Sequence, residues 1–219
     1  MSPDAFAIKD CALIAIATGR KAITLKELRD RLQTINANSI YQHFWGGLLE
    51  PRFEEREYNN DFAAWARRGL HDDVLAERLA MADPTQYEDI EALRQELLEL
   101  IEERLDQSEY LNWVLATEPF EFIRSQIVVF DTDQRLHHPE ELARQLPTLS
   151  TSSIFYHFID ARRRPPKGFD DFRLWLSGFN GQYAGLEKRL AAIDPYFGTL
   201  NDLRQELVES FNQSCGEPV

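Results

Sequence analysis

Cysteine is almost missing from this chain: Cys11 and Cys215 are the two in 219 residues. They stand at unrelated places and form no metal-binding spacing, so neither a disulfide framework nor a cysteine-based metal site is expected. Long hydrophobic runs are missing too. No stretch approaches the roughly 18 apolar residues that a membrane helix needs. The opening Met1-Ser2-Pro3-Asp4-Ala5 has no basic segment followed by an apolar one. The expectation is a cytoplasmic chain with no membrane partner. Basic charge is scarce: 24 Lys and Arg face 37 Asp and Glu, a net charge of −13. A field of that sign repels phosphate backbones, so no nucleic acid partner is expected. GxGxxG, HExxH, GxSxG and CxxC patterns are absent as well. That removes the usual signatures of dinucleotide, zinc-peptidase, serine-hydrolase and thiol chemistry.

What is present suffices to fold. Apolar residues make up 43% of the chain and aromatics 11%, which sets it apart from disordered sequences. The content is also written twice. Ser39-Ile40-Tyr41-Gln42-His43-Phe44 returns as Ser153-Ile154-Phe155-Tyr156-His157-Phe158. Asp61-Phe62-x-x-Trp65 returns as Asp171-Phe172-x-x-Trp175, and Leu93-Arg94-Gln95-Glu96-Leu97 returns unchanged from Leu203 to Leu207. The order is kept and the offset stays between 110 and 114 residues. This predicts repeat 1 over 1–110 and repeat 2 over 111–219, packed as one compact body, since units this small gain by burying surface on each other.

Within each repeat most segments read as helix. Thr24-x-x-Glu27 has the spacing of a capping box, and His138-Pro139-Glu140-Glu141 places proline and acids where a helix starts. Asn60 and Asp170 are good N-caps. Ile90, Leu93, Leu97, Leu100, Ile101 and Leu105 form a wide apolar stripe. The runs Ala12–Ala17 and Ile127–Phe130 read as short strands that could pair. Residues 106–118, with Trp113, read as a packed connector. The fold class expected is therefore mainly α, a duplicated helical repeat with pseudo-two-fold symmetry and at most one short β-strand per repeat.

Four groups of residues could carry chemistry. His43 and His157 are the duplicated histidines, each on an apolar helix face. Neutral imidazole suits zinc or iron, and Asp61 and Asp171 are the duplicated carboxylates that could complete a site. Such a site needs three or four ligands, so the competing reading is a packed His beside a helix cap. Tyr41 and Tyr156 flank these histidines at different positions, which disfavours a symmetric acid–base pair. Arg162, Arg163, Arg164 and Lys167 form the dense basic cluster of an acidic chain and could bind an anion. They could instead attract the loop of Glu54, Glu55 and Glu57. Finally, Thr18-Gly19-Arg20-Lys21 could present N–H groups to an anion from a strand-to-helix loop.

The Ser-Ile-Tyr-x-His block, with Thr18-Gly19-Arg20, Leu25, Leu28 and Asn60 through Trp65, resembles an uncharacterised bacterial family catalogued only as a domain of unknown function. The resemblance covers both repeats and implies no known activity or cofactor. Some members of that family are richer in His just after the Tyr-His block, where this chain has Phe44-Trp45-Gly46-Gly47 and Phe158-Ile159-Asp160-Ala161. The function expected is a non-enzymatic binding or scaffold module that recognises a protein partner or a small ligand between the repeats. A homo-oligomer is compatible with this. The alternative is a metal- or His-dependent enzyme using His43 and His157 with Asp61 and Asp171.

Overall fold

The computed structural model describes residues 3–50, 57–107, 109–196 and 198–215. The chain divides into two compact units. One unit holds Leu13–Gln126 and the other combines Met1–Ala12 with Ile127–Val219; they are called inner and outer for their places along the sequence alone. Two long strands, β1 (Phe6–Ala22) and β2 (Phe120–Leu136), form a two-stranded antiparallel sheet. Both unit boundaries fall inside these strands.

The expectation of a mainly α chain with one short strand per repeat is corrected here. Each strand has 17 residues, and with ten α-helices among the described residues the fold is α/β. The apolar runs mark only the middles of the strands. Their ends are charged: Lys9, Asp10, Arg20 and Lys21 in β1, and Glu121, Asp131, Asp133 and Arg135 in β2. These ends are extended because a facing strand offers them hydrogen bonds, and that partner lies about a hundred residues away. Thr18 Oγ1 donates to the Phe122 carbonyl at 2.6 Å, across 104 positions of sequence. Strand preference belongs to pairing and packing more than to local residue type.

The same pairing corrects the segment Thr18-Gly19-Arg20-Lys21, which lies inside β1 and not in a strand-to-helix loop. Gly19 has φ +72° and its duplicate position, Asp133, has φ +60°. Each left-handed residue follows a threonine whose hydroxyl bridges the two strands. Thr132 Oγ1 donates to the Ile8 carbonyl at 2.6 Å and accepts from the Gln134 N–H at 3.4 Å. Thr18 Oγ1 likewise accepts from the Arg20 N–H at 3.2 Å. Gly reaches this backbone region freely and Asp tolerates it.

The inner unit carries α1 (Leu25–Leu32), α2 (Ala37–Trp45), α3 (Asp61–Arg68), α4 (Asp73–Ala80) and α5 (Ile90–Asp106). Thr24 caps α1 through the Glu27 N–H, and Asn60 caps α3 through the Ala63 N–H. Leu28, Leu32, Leu75, Leu79, Leu93, Leu97 and Ile101 are fully buried, each contributing about 1.5–3 kcal/mol of transfer free energy. The repeated Arg has a specific task. Arg94, 6% exposed, donates to the Leu32 and Ile35 carbonyls, where α1 has ended and its carbonyls lack helical partners. Arg204 does the same for the Leu149 carbonyl at 2.9 Å in the outer unit.

The outer unit carries α6 (Pro139–Gln145), α7 (Thr151–Ile154), α8 (Asp171–Ser177), α9 (Ala184–Ala192) and α10 (Leu200–Cys215). Here the copy diverges. Where α2 runs on to Trp45, α7 passes after one turn into a π-turn, Phe155–Ile159, and then a 3-10 turn, Asp160–Arg163. Such insertions widen a helix locally and recur at functional sites. Among the described residues no helix is long and apolar enough to cross a membrane.

Candidate functional site

The repeated Ser-Ile-aromatic-x-His block is a clamp for a strand. On a helix, residues four apart share a face, and here the Ser and the His grip one backbone residue from both sides. In the inner unit Ser39 Oγ donates to the Ile123 carbonyl at 2.7 Å, and the Ile123 N–H donates to His43 Nε2 at 3.2 Å. In the outer unit Ser153 Oγ donates to the Lys9 carbonyl at 2.8 Å, and the Lys9 N–H donates to His157 Nε2 at 2.9 Å. Five residues upstream, the repeated Trp closes a second point. Trp65 Nε1 donates to the Glu118 carbonyl at 2.7 Å and Trp175 Nε1 to the Asp4 carbonyl at 2.9 Å. Between these points a Phe fills the aromatic pocket. Phe120 lies against His43, Phe62 and Trp65; Phe6 lies against His157, Phe172 and Trp175.

The histidines therefore have a defined state. A ring nitrogen that accepts from an N–H carries no proton, so the proton sits on Nδ1. That proton goes to a carboxylate: His43 Nδ1 lies 2.9 Å from Asp61 Oδ2 and His157 Nδ1 lies 2.7 Å from Asp171 Oδ2. Each predicted His thus meets its predicted Asp, in separate units, with both ring nitrogens in use. Neither has a lone pair to offer a metal or a substrate proton. Among the described residues no group of three or more His, Cys, Asp and Glu could hold a metal ion.

The remaining candidates separate. Tyr41 is buried beside Trp45 in the inner unit. Tyr156 is in the outer unit, with its hydroxyl pKa raised by burial. The basic cluster does not act as one patch. Arg162 lies over the Phe158 ring at 4.4 Å and reaches the Ile193 carbonyl, and burial lowers its pKa. Arg163 Nε donates to buried Asp160 at 2.6 Å. Arg164 stacks on Tyr156 at 4.2 Å and donates to the Tyr156 carbonyl and to Asp171 Oδ2. Lys167 is exposed. The acidic loop expected to meet this cluster falls largely on residues 51–56, outside the described residues. Cys11 is buried, its thiol donating to the Ser152 carbonyl at 3.3 Å, and burial pushes its pKa up to about 12. A thiol so held is a poor nucleophile. Trp113, expected in a packed connector, is instead 79% exposed.

The outer clamp opens onto a pocket of about 530 Å³. Phe6 and Trp175 form its apolar wall, and Lys9, Tyr156, Arg164 and Asp171 its polar one. The pocket draws on both sequence repeats, yet lies within one folded unit. Lys9 was not among the sequence candidates. Its position is Ile123 in the copy, so no repeat pattern marks it. Ser39 and Ser153 were visible as repeated residues, but nothing in the sequence shows which backbone a hydroxyl grips.

A family model described as "Family of unknown function (DUF5752)" matches residues 3–212. A solved structure, "The structure of OrfY from Thermoproteus tenax", is similar with a TM-score of 0.84 at 22% sequence identity, covering 99% of this chain and 98% of that one. At that identity the likeness concerns the fold. No curated protein matches the sequence at a significant level.

Proposed function

We propose, for a chain that belongs to this DUF5752 family of unknown function, that the protein is a non-enzymatic binding module whose outer-unit pocket takes a small ligand. One observation carries the reading. The groups best suited to chemistry, the two histidines, are spent on gripping strands, while the outer clamp leaves Lys9 and Tyr156 lining an open pocket with an aromatic wall. Among the described residues no ion pair closes on Lys9 within 4 Å, although Asp131 feels its charge. A ligand with a carboxylate or phosphate group facing Lys9 and Tyr156, and an apolar part against Phe6 and Trp175, suits this lining. A His-dependent enzyme would first have to release a ring nitrogen from its strand.

Ligand-observed NMR on the untagged protein, with a panel of small carboxylates and phosphates, tests this. Binding to wild type that Lys9→Ala abolishes supports the pocket. A panel that fails throughout, or binds Lys9→Ala equally well, removes it. A protein partner is the second reading, favoured by Tyr110, Trp113 and Leu115 of the inner unit, which are 74%, 79% and 66% exposed.

A further inference from the structure

The two units build the N-cap of the tryptophan-bearing helix from different residues. In the inner unit the cap is Asn60, fully buried. Its Oδ1 accepts from the Ala63 N–H at 2.9 Å and its Nδ2 donates to the Leu79 carbonyl at 3.0 Å, so both ends of the amide are used. In the outer unit the cap is Asp170, also fully buried. Its Oδ1 accepts from the Arg173 N–H at 2.8 Å, but its Oδ2 meets no hydrogen-bond partner among the described residues. Two cations face it. Arg173, on α8 itself, places Nη1 3.9 Å from Oδ2. Arg162, from the 3-10 turn, also acts on it, and Asp194, beyond α9, acts in turn on Arg162. Neither guanidinium closes a hydrogen bond to Oδ2, and both leave a buried Nε without a partner.

An ionised carboxylate can only accept. A carboxylic acid carries one donor besides its acceptor, as the amide of Asn60 does. We propose that Asp170 is a positioning residue for the outer-unit pocket, holding α8 in place as a neutral carboxylic acid and weakening the packing around α8 when loss of its proton leaves a buried charge on the unpartnered oxygen. α8 carries Asp171, Leu174 and Trp175 to the pocket wall. The proton on Asp170 thereby regulates the site proposed above, and to that extent the inference rests on that reading.

Burial pushes the Asp170 carboxyl up to about 6, against the opposing pull of the Arg173 N–H, the charges of Arg162 and Arg173, and the N–H of Asp170 itself. A carboxyl raised on folding binds its proton more tightly in the folded protein. The stabilisation is complete below the unfolded value near 4 and is lost as pH rises through about 6. From below pH 4 to above pH 6 this changes the folding equilibrium about a hundredfold.

Thermal unfolding at pH 5 and pH 8 of wild type, Asp170→Asn and Asn60→Asp tests this. Between the two pH values, which span about a tenfold part of that change, wild type should lose roughly 3–5 °C more than Asp170→Asn, given the shift expected for a chain of this length. Asn60→Asp should add a similar loss in the inner unit. Equal pH dependence in wild type and Asp170→Asn overturns the proposal. So does an Asp170→Asn protein destabilised alike at both pH values. Should Asp170→Asn fail to fold, the pH dependence of the wild-type Trp175 resonance decides, in the way that follows. The indole N–H resonance of Trp175 reads the pocket wall without any ligand. It should shift between pH 5 and pH 8 in wild type and stay fixed in Asp170→Asn. A resonance that stays fixed in wild type removes the link to the pocket, independently of whether a small ligand binds.

Discussion

His157 and Ser153 show what single side chains do here. Each replaces a neighbouring strand for one residue, so that the outward N–H and C=O of Lys9 are paired without a third strand. Removing one partner leaves a part-buried backbone group unpaired, which costs more than the bond itself gains. Ser39→Ala should lower stability by about 1 kcal/mol and His157→Ala by about 2–3 kcal/mol in urea unfolding, scaled from typical hydrogen-bond losses. A His157→Ala protein of unchanged stability would refute the clamp. Arg94 belongs to the same class, being buried with its donors on two carbonyls. Arg94→Ala should cost about 2–3 kcal/mol. By contrast, Lys21 and Glu121 are each 56% exposed, and replacing either should change stability by no more than about 0.5 kcal/mol. That His43, Asp61, His157 and Asp171 recur in step was legible, but the sequence pointed to one shared site and not to two separate His–Asp pairs. Their role was not legible, because the backbone groups they serve lie 80 and 148 positions away.

Elements were legible wherever their signals are local. The caps at Thr24, Asn60 and Asp170 and the stripe of α5 all follow from residues within one or two turns. β1 and β2 were underestimated because their length is set by each other. The left-handed residue in each strand makes this testable. A side chain added at Gly19 meets no atom within 4 Å, so the cost of Gly19→Ala is conformational alone. It should be about 1–2 kcal/mol by urea unfolding. Asp133→Gly relieves the same constraint in the other strand and should be neutral or stabilising by up to about 1 kcal/mol. If both substitutions destabilise equally, the duplicated backbone kink is not what positions the threonine bridges.

At the scale of the whole molecule, the duplication was plain in the sequence, but repeats 1–110 and 111–219 do not say which helices hold which strand. The opening of each repeat docks on helices of the other: residues 4–9 on α7 and α8, residues 118–123 on α2 and α3. Repeat alignment carries no trace of this, since either docking satisfies the same pattern. Exposure is also unevenly spread. Trp113 is 79% exposed while Trp45, Trp65 and Trp175 are each 8% exposed or less. Acrylamide should therefore quench one accessible fraction of the tryptophan emission, and Trp113→Phe should remove it. A wild-type fraction that falls with rising protein concentration would show that another copy covers this face.

The exchanged docking also orders events during synthesis. Ile123 leaves the ribosome after Ser39, His43 and Trp65, so the inner unit can close as soon as its last strand residues emerge. Lys9 is made early, but Ser153, His157 and Trp175 follow more than a hundred residues later. The nascent chain must carry the strand residues around Lys9 undocked until those partners are made, and the outer unit is the part a chaperone would have reason to attend.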